Sequence, residues 1–106
     1  MVSDKPAMVQ YVIGERQVLA KLKSGEFRLV KLQVGLPEPL ESRWQSKIAL
    51  DCLYPNVVNV PGVDSFQCLN LAFGVVRTAL EKFIESGGEL YWKDGSGPLT
   101  LVDIFS

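Results

Sequence analysis

The sequence predicts an α+β domain: a mostly antiparallel sheet of four to six strands with one long helix packed on one face. Residues 11–60 hold segments in which every second residue is apolar, the pattern of half-buried strands. Residues 64–86 instead repeat apolar residues at helical spacing. Strands, one long helix and further strands in that order are typical of a helix lying across an antiparallel sheet.

The first two strands, residues 11–22 and 26–34, form a hairpin whose register follows from parity. A two-residue loop would turn their two apolar sets to opposite faces, because successive side chains alternate across a strand. A three-residue loop with a bulge at Gly25 instead sets Val18 beside Val30. We therefore predict the bulged hairpin, with Gly25 in the left-handed region.

Residues 35–39 contain two prolines and predict a stiff extended loop, because proline cannot donate to a strand ladder. The third strand is predicted over 44–54 and a short fourth strand over 57–60. The alternation places one set of third-strand side chains on a common face: Trp44, Ile48, Leu50, Cys52 and Tyr54.

The helix begins with Asp64 or Ser65 as N-cap and ends at Gly87-Gly88. Its broad apolar face is predicted to contain two stripes: Phe66, Leu69, Phe73, Val76, Leu80 and Phe83, and Cys68, Ala72, Val75 and Ala79. A glycine inside a helix costs about 1 kcal/mol relative to alanine. We expect Gly74 to be compensated by close approach to a strand.

The remaining segments complete a single domain over residues 9–106, preceded by a flexible tail over 1–8. Residues 89–93 predict a fifth short strand and 94–98 a turn. Residues 99–105 are apolar on both faces and predict a last edge strand or a docked tail.

Three segments resemble a family of short bacterial proteins of unknown function. Residues 62–72, read as GVDSFQCLNLA, are similar to that family's GVDALQALQLAL stretch. Residues 35–39 and Trp44 look like its GxPxP followed by tryptophan, and residues 87–92 look like its closing strand. The resemblance covers roughly residues 12–98 and implies a bacterial source and the same fold. The family has no assigned activity, so the resemblance transfers no site residue, and the tail from Leu99 to Ser106 is more apolar than the family's.

Composition excludes several function classes. The chain of 106 residues has no histidine, which removes histidine bases and histidine-ligated metals. Its net charge of −1 argues against a nucleic-acid partner. Two cysteines without a CxxC spacing predict reduced thiols in a cytoplasmic protein. No apolar run reaches the roughly 20 residues of a membrane span, and we expect no metal or other cofactor.

The basic residues of the first hairpin form one candidate patch: Arg16, Lys21, Lys23, Arg28 and Lys31. Without interleaved exposed aromatic residues, a solvated strand face is the favoured interpretation.

The leading functional hypothesis is a non-catalytic protein–protein interaction module, either of the immunity type or self-associating. Tyr91 and Trp92 are adjacent on a strand, so they point to opposite faces and one of them is exposed or covered by another chain. Residues 99–105, which are apolar on both faces, must also be covered, either within the fold or by another chain. The interface candidates are Tyr91, Trp92, Leu99, Leu101 and Phe105.

Two other hypotheses stay open. One is a small-ligand domain with a pocket between helix and sheet near Trp44 and Tyr54. The other is an enzyme that uses carboxylates or Cys68 without histidine, with Cys68 favoured by its place in the first helical turn. Packing is the favoured role of both Cys52 and Cys68, because buried cysteine behaves as a small hydrophobe.

Overall fold

A computed structural model describes residue 9, residues 11–51 and residues 53–106. The predicted tail over 1–8 and Cys52 lie outside the described residues. Six strands and two helices follow in chain order: β1 Val12–Lys21, β2 Phe27–Gly35, β3 Glu38–Pro39, β4 Trp44–Leu50, β5 Val58–Gly62, α1 Ser65–Glu85, β6 Glu89–Tyr91 and α2 Leu101–Phe105.

The fold is α+β, as predicted: a six-stranded antiparallel sheet with the long helix α1 on one face. Its strands run in the order β3-β4-β2-β1-β6, and β5 also pairs with β4. α1 lies mainly over β4 and β5, whereas α2 packs against α1. The core fills the space between the helices and the inner face of the sheet.

The hairpin forms in the predicted register. Val18 pairs with Val30, and both side chains are fully buried. The amide of Leu22 donates to the carbonyl of Glu26, and the amide of Gly25 donates back to the carbonyl of Leu22. Gly25 has a φ of 94°, so it occupies the left-handed region that the bulged loop requires.

The predictions for residues 35–60 need two corrections. Glu38 and Pro39 do pair with β4, as strand β3, so the proline segment is not wholly a loop. The third strand ends at Leu50 rather than at residue 54, because the amide of Tyr54 donates to the Leu50 carbonyl and turns the chain.

α1 has the predicted caps. Asp64 is the N-cap and accepts a 2.8 Å hydrogen bond from the amide of Gln67, whose side chain in turn accepts from the amide of Val63. At the other end the amides of Gly87 and Gly88 donate to the carbonyls of Ile84 and Phe83. These two bonds, with Gly87 at φ 106°, form a Schellman cap.

The buried face of α1 is narrower than predicted: Cys68, Ala72, Val76, Ala79 and Leu80. Phe66 is 82% exposed and Phe73 is 44% exposed, so both lie outside the buried face. The expected approach of Gly74 to a strand is wrong, because no atom lies within 4 Å of the position that a Cβ would take there. Close approach occurs at Gly62, where a Cβ would lie 2.8 Å from the Cys68 amide nitrogen.

The C-terminal segment adopts the docked tail, one of the two forms predicted for it, and does so as a helix. β6 ends at Tyr91, and the chain doubles back so that the Leu99 amide donates to the Leu90 carbonyl. Residues 101–105 then form helix α2 rather than an edge strand. Thr100 and Asp103 form a reciprocal capping box that starts this helix. The segment is therefore docked on the core in helical form.

Candidate functional site

The open face of the sheet, opposite α1, carries a cluster of apolar side chains. We call it the open-face patch and define it by four residues: Leu19, Phe27, Leu29 and Tyr91. Leu19 pairs with Leu29 on one side and with Tyr91 on the other. The Phe27 and Tyr91 rings lie 5.9 Å apart between centroids. The patch thus spans β2, β1 and β6 without a break.

Parity explains why these residues face outward. In β2, Val30, Leu32 and Val34 are buried against the helices, so the alternate side chains point to the other face. Phe27 is 51% exposed and Leu29 is 52% exposed. An antiparallel sheet with one solvated face usually has polar residues there, and this part of the sheet does not.

The patch has a mixed electrostatic rim. The Lys21 ammonium lies 5.8 Å from the centroid of the Phe27 ring. The Tyr91 hydroxyl donates a 2.5 Å hydrogen bond to the Glu89 carboxylate. This hydrogen bond raises the pKa of Tyr91, and burial and the negative charge of Glu89 add to the effect. Both signs of charge therefore border an apolar centre.

A second feature lies on the inner face. A cavity of about 240 Å³ separates β1 and β2 from the two helices, and we call it the inner cavity. Its walls are mostly apolar: Leu32, Val34, Phe73, Val76, Ile104 and Phe105. Gly14, Glu15 and Arg16 of β1 also line it. Alternation turns the Glu15 side chain to the outer face, where its carboxylate accepts a hydrogen bond from Gln33. The cavity exists because α1 lies mainly over β4 and β5, and the short α2 covers only part of the remaining face.

Arg16 does not belong to the candidate basic patch of the first hairpin. Alternation places it with Val18 and Ala20 on the inner face of β1, so it does not share the outer face with Lys21 and Lys31. It is half-buried, and its guanidinium carbon lies 5.9 Å from the centroid of the Trp92 ring. The five basic residues of the hairpin do not form one surface.

The interface candidates occupy different environments. Trp92 is 41% exposed, and Tyr91 is half-buried in the open-face patch. Leu99 is buried within the chain, so its side chain offers no contact surface. Leu101 and Phe105 are partly buried against the core. Val102 is the most exposed apolar residue of the tail, at 68%.

The structure does not bring the two pocket candidates together. Trp44 is half-buried at the start of β4, whereas Tyr54 follows the turn after its other end. The seven residues of β4 separate them by roughly 20 Å at 3.3 Å per residue. Tyr54 borders an open groove beside α1 that also contacts Gly74, and Trp44 lines neither this groove nor the inner cavity.

Cys68 is free and fully buried beneath β5. Its burial matches the packing interpretation. Within the described ranges, no three cysteine, aspartate or glutamate side chains are grouped as metal ligands. None of the helices formed by those ranges combines the length and apolar character needed to cross a membrane.

Sequence reasoning missed three informative features, although each had a signal. Phe27 and Leu29 alternate with the predicted core set of the second strand, which already placed them outside. Arg16 shares the parity of Val18. The sequence Thr100-Leu101-Val102-Asp103 fits the capping-box pattern before an apolar run, which predicts a helix start.

In comparisons with known proteins, no family model matches the chain, and neither a curated protein nor a solved structure matches it significantly. The function is therefore inferred from the geometry.

Proposed function

We propose that the protein is a non-catalytic cytoplasmic module that binds another protein through the open-face patch. The observation that carries the proposal is the continuous apolar surface across three strands, with Phe27 and Leu29 each about half exposed. Monomeric proteins seldom leave such a surface uncovered, and a contiguous apolar patch with a polar rim marks an interaction site.

The composition of the patch supports a protein partner. Aromatic residues are enriched at the energetic centres of interfaces, and Tyr91 and Phe27 form the aromatic part here. The three strands that carry the patch are hydrogen-bonded to one another in the sheet, so the surface is held rigid before binding. A rigid surface loses little conformational entropy on association. Lys21 and Glu89 supply polar contacts at the rim.

The test compares the wild type with the double variant Phe27→Ser/Leu29→Thr, each tagged and recovered from host cells. Both new residues suit a solvated strand, and the removed side chains contribute little to the core. We expect the wild type to carry a stoichiometric partner, or a second copy seen by light scattering, and the double variant to lose it.

Phe66→Ser is the matched control, because Phe66 is 82% exposed but lies on α1, away from the patch. It is expected to retain the partner. Thermal unfolding of all three proteins shows whether each is folded. A folded double variant that keeps the same complex contradicts the proposal.

A further inference from the structure

The inner cavity holds a cation, Arg16, that forms no hydrogen bond or ion pair with any carboxylate of the described residues. Arg16 is half-buried on the inner face of β1, where the next positions on that face, Gly14 and Val18, are apolar. Across the described part of the chain, its guanidinium takes part in no hydrogen bond or ion pair. A partly desolvated guanidinium with unused donors favours an anion, and its planar fork matches a carboxylate.

The charged side chains near Arg16 do not occupy its hydrogen-bond donors. Glu15 precedes Arg16 in the strand, but its carboxylate accepts a 2.8 Å hydrogen bond from Gln33. Asp103 has a lowered pKa, mainly because the Thr100 amide and hydroxyl donate to its carboxylate, and Arg16 contributes only through its charge. Arg77, on α1, lies near Glu81 and over the Phe105 ring.

The contact with Trp92 holds Arg16 in position. The indole ring lies 5.9 Å from the guanidinium carbon, within the range of a cation–π interaction. Arg16 itself lines the inner cavity, together with six apolar side chains from β2, α1 and α2. Among the side chains that alternation turns to the inner face, the site therefore has one cation and an apolar remainder.

The size of the cavity limits the ligand. An apolar cavity of about 150 Å³ is sufficient to bind benzene, and the inner cavity is about 240 Å³. It has room for one aromatic ring, or a chain of similar volume, and a short carboxylate arm. It is too small for most drug-sized ligands, whose pockets begin at about 300 Å³.

We propose that the inner cavity binds a small amphipathic carboxylate, with its apolar group against Phe73 and Val76 and its carboxylate on Arg16. This site is on the opposite face of the sheet from the open-face patch, so its test is independent of the test of the proposed function.

The test uses 3-phenylpropionate as the probe and 3-phenylpropanol as its neutral analogue, each titrated into the labelled protein and followed by amide NMR shifts. We expect saturable binding of the acid, with shifts at residues that line the cavity. The alcohol is expected to bind at least tenfold more weakly, because charge-assisted hydrogen bonds are about twice as strong as neutral ones.

Two variants locate the site. Arg16→Gln is expected to weaken binding of the acid at least tenfold. Arg43→Gln, the matched control, is expected to leave it unchanged, because Arg43 is exposed and lies outside the cavity lining. Gly14→Leu fills the cavity, since a Cβ at this position meets only Phe73, at 3.9 Å. It is expected to abolish binding of both compounds, and its amide spectrum shows whether it is folded.

Three results would each overturn the proposal. The first is the absence of saturable shifts with the wild type at millimolar acid. The second is equal weakening by Arg16→Gln and Arg43→Gln, which indicates general charge attraction. The third is equal affinity for the acid and the alcohol, which shows that Arg16 does not take the carboxylate.

Discussion

The same chemical change, glycine to alanine, should have opposite effects at Gly74 and at Gly62. Gly74 lies in the interior of α1 and is exposed, with no atom within 4 Å of the position a Cβ would take. Alanine there removes the helix penalty of glycine without a clash. We expect Gly74→Ala to raise the free energy of unfolding by about 0.8–1 kcal/mol.

Gly62 ends β5 beneath the first turn of α1. An added Cβ would lie 2.8 Å from both the amide nitrogen and the sulfur of Cys68, and 3.2 Å from its Cα. Backbone atoms cannot rotate away as a flexible side-chain end can, so strand and helix must separate. Overpacking of this kind costs about 1–3 kcal/mol, and Gly62→Ala should be destabilised by that amount.

Thermal unfolding followed by circular dichroism measures both effects. For a chain of this length, about 2.1 cal/mol/K of unfolding entropy per residue converts 1 kcal/mol to roughly 4–5 °C. Gly74→Ala should therefore melt about 4 °C higher than wild type and Gly62→Ala roughly 5–13 °C lower. Urea midpoints at unchanged m-value provide an independent measure. A lower melting temperature for Gly74→Ala, or an unchanged one for Gly62→Ala, refutes this account of helix packing.

Three further substitutions test separate features. The Ser46 hydroxyl is buried and finds no hydrogen-bond partner in the described structure, so Ser46→Ala should raise the urea-derived free energy of unfolding by about 1 kcal/mol; a decrease contradicts this. Gly25→Ala should cost about 1–2 kcal/mol because of its left-handed conformation, and an unchanged melting temperature counts against the bulged loop. Thr100→Val should raise the lowered pKa of Asp103 toward 3.8 in an NMR titration, because it removes a hydroxyl donor. A folded-state pKa below the unfolded value stabilises above the unfolded pKa, and this contribution disappears as pH falls through the folded-state pKa. No change in the Asp103 titration would contradict the capping box.

Local rules predicted much of the fold. The parity of Val18 and Val30 determined the loop length of the first hairpin and the conformation of Gly25. The Asp64 cap and the glycine pair at 87–88 defined both ends of α1. These features depend on residues close in sequence, where backbone geometry leaves few alternatives.

The errors concern positions that depend on distant contacts. Whether Phe66 and Phe73 are buried depends on where α1 crosses the sheet, and helical spacing alone does not specify that. The end of β4 at Leu50 depends on a turn that carries no strong glycine or proline signal. Apolar residues on both faces of 99–105 left an edge strand and a docked tail open, and the capping box at Thr100 starts a docked helix.

The open-face patch and the inner cavity were harder to predict from the sequence. Tyr91 was expected at an interface. Its neighbours in the open-face patch come from β1 and β2, which are distant in sequence, and only the register of β1 and β6 shows that they are adjacent. The inner cavity results from the offset of α1 toward β4 and β5, which no sequence pattern specifies. Alternation placed Arg16 on the inner face, but only the packed structure shows that it forms no hydrogen bond or ion pair among the described residues.

The most direct test of the central claim, that the open-face patch contacts another protein, is site-specific photo-crosslinking in host cells. A photoreactive phenylalanine analogue replaces Leu29 in one protein and Phe66 in another, and covalent adducts are identified by mass spectrometry. We predict one dominant adduct from position 29, either with a partner or with a second copy, that is absent from position 66. No adduct from position 29, or the same adducts from both positions, would contradict the claim.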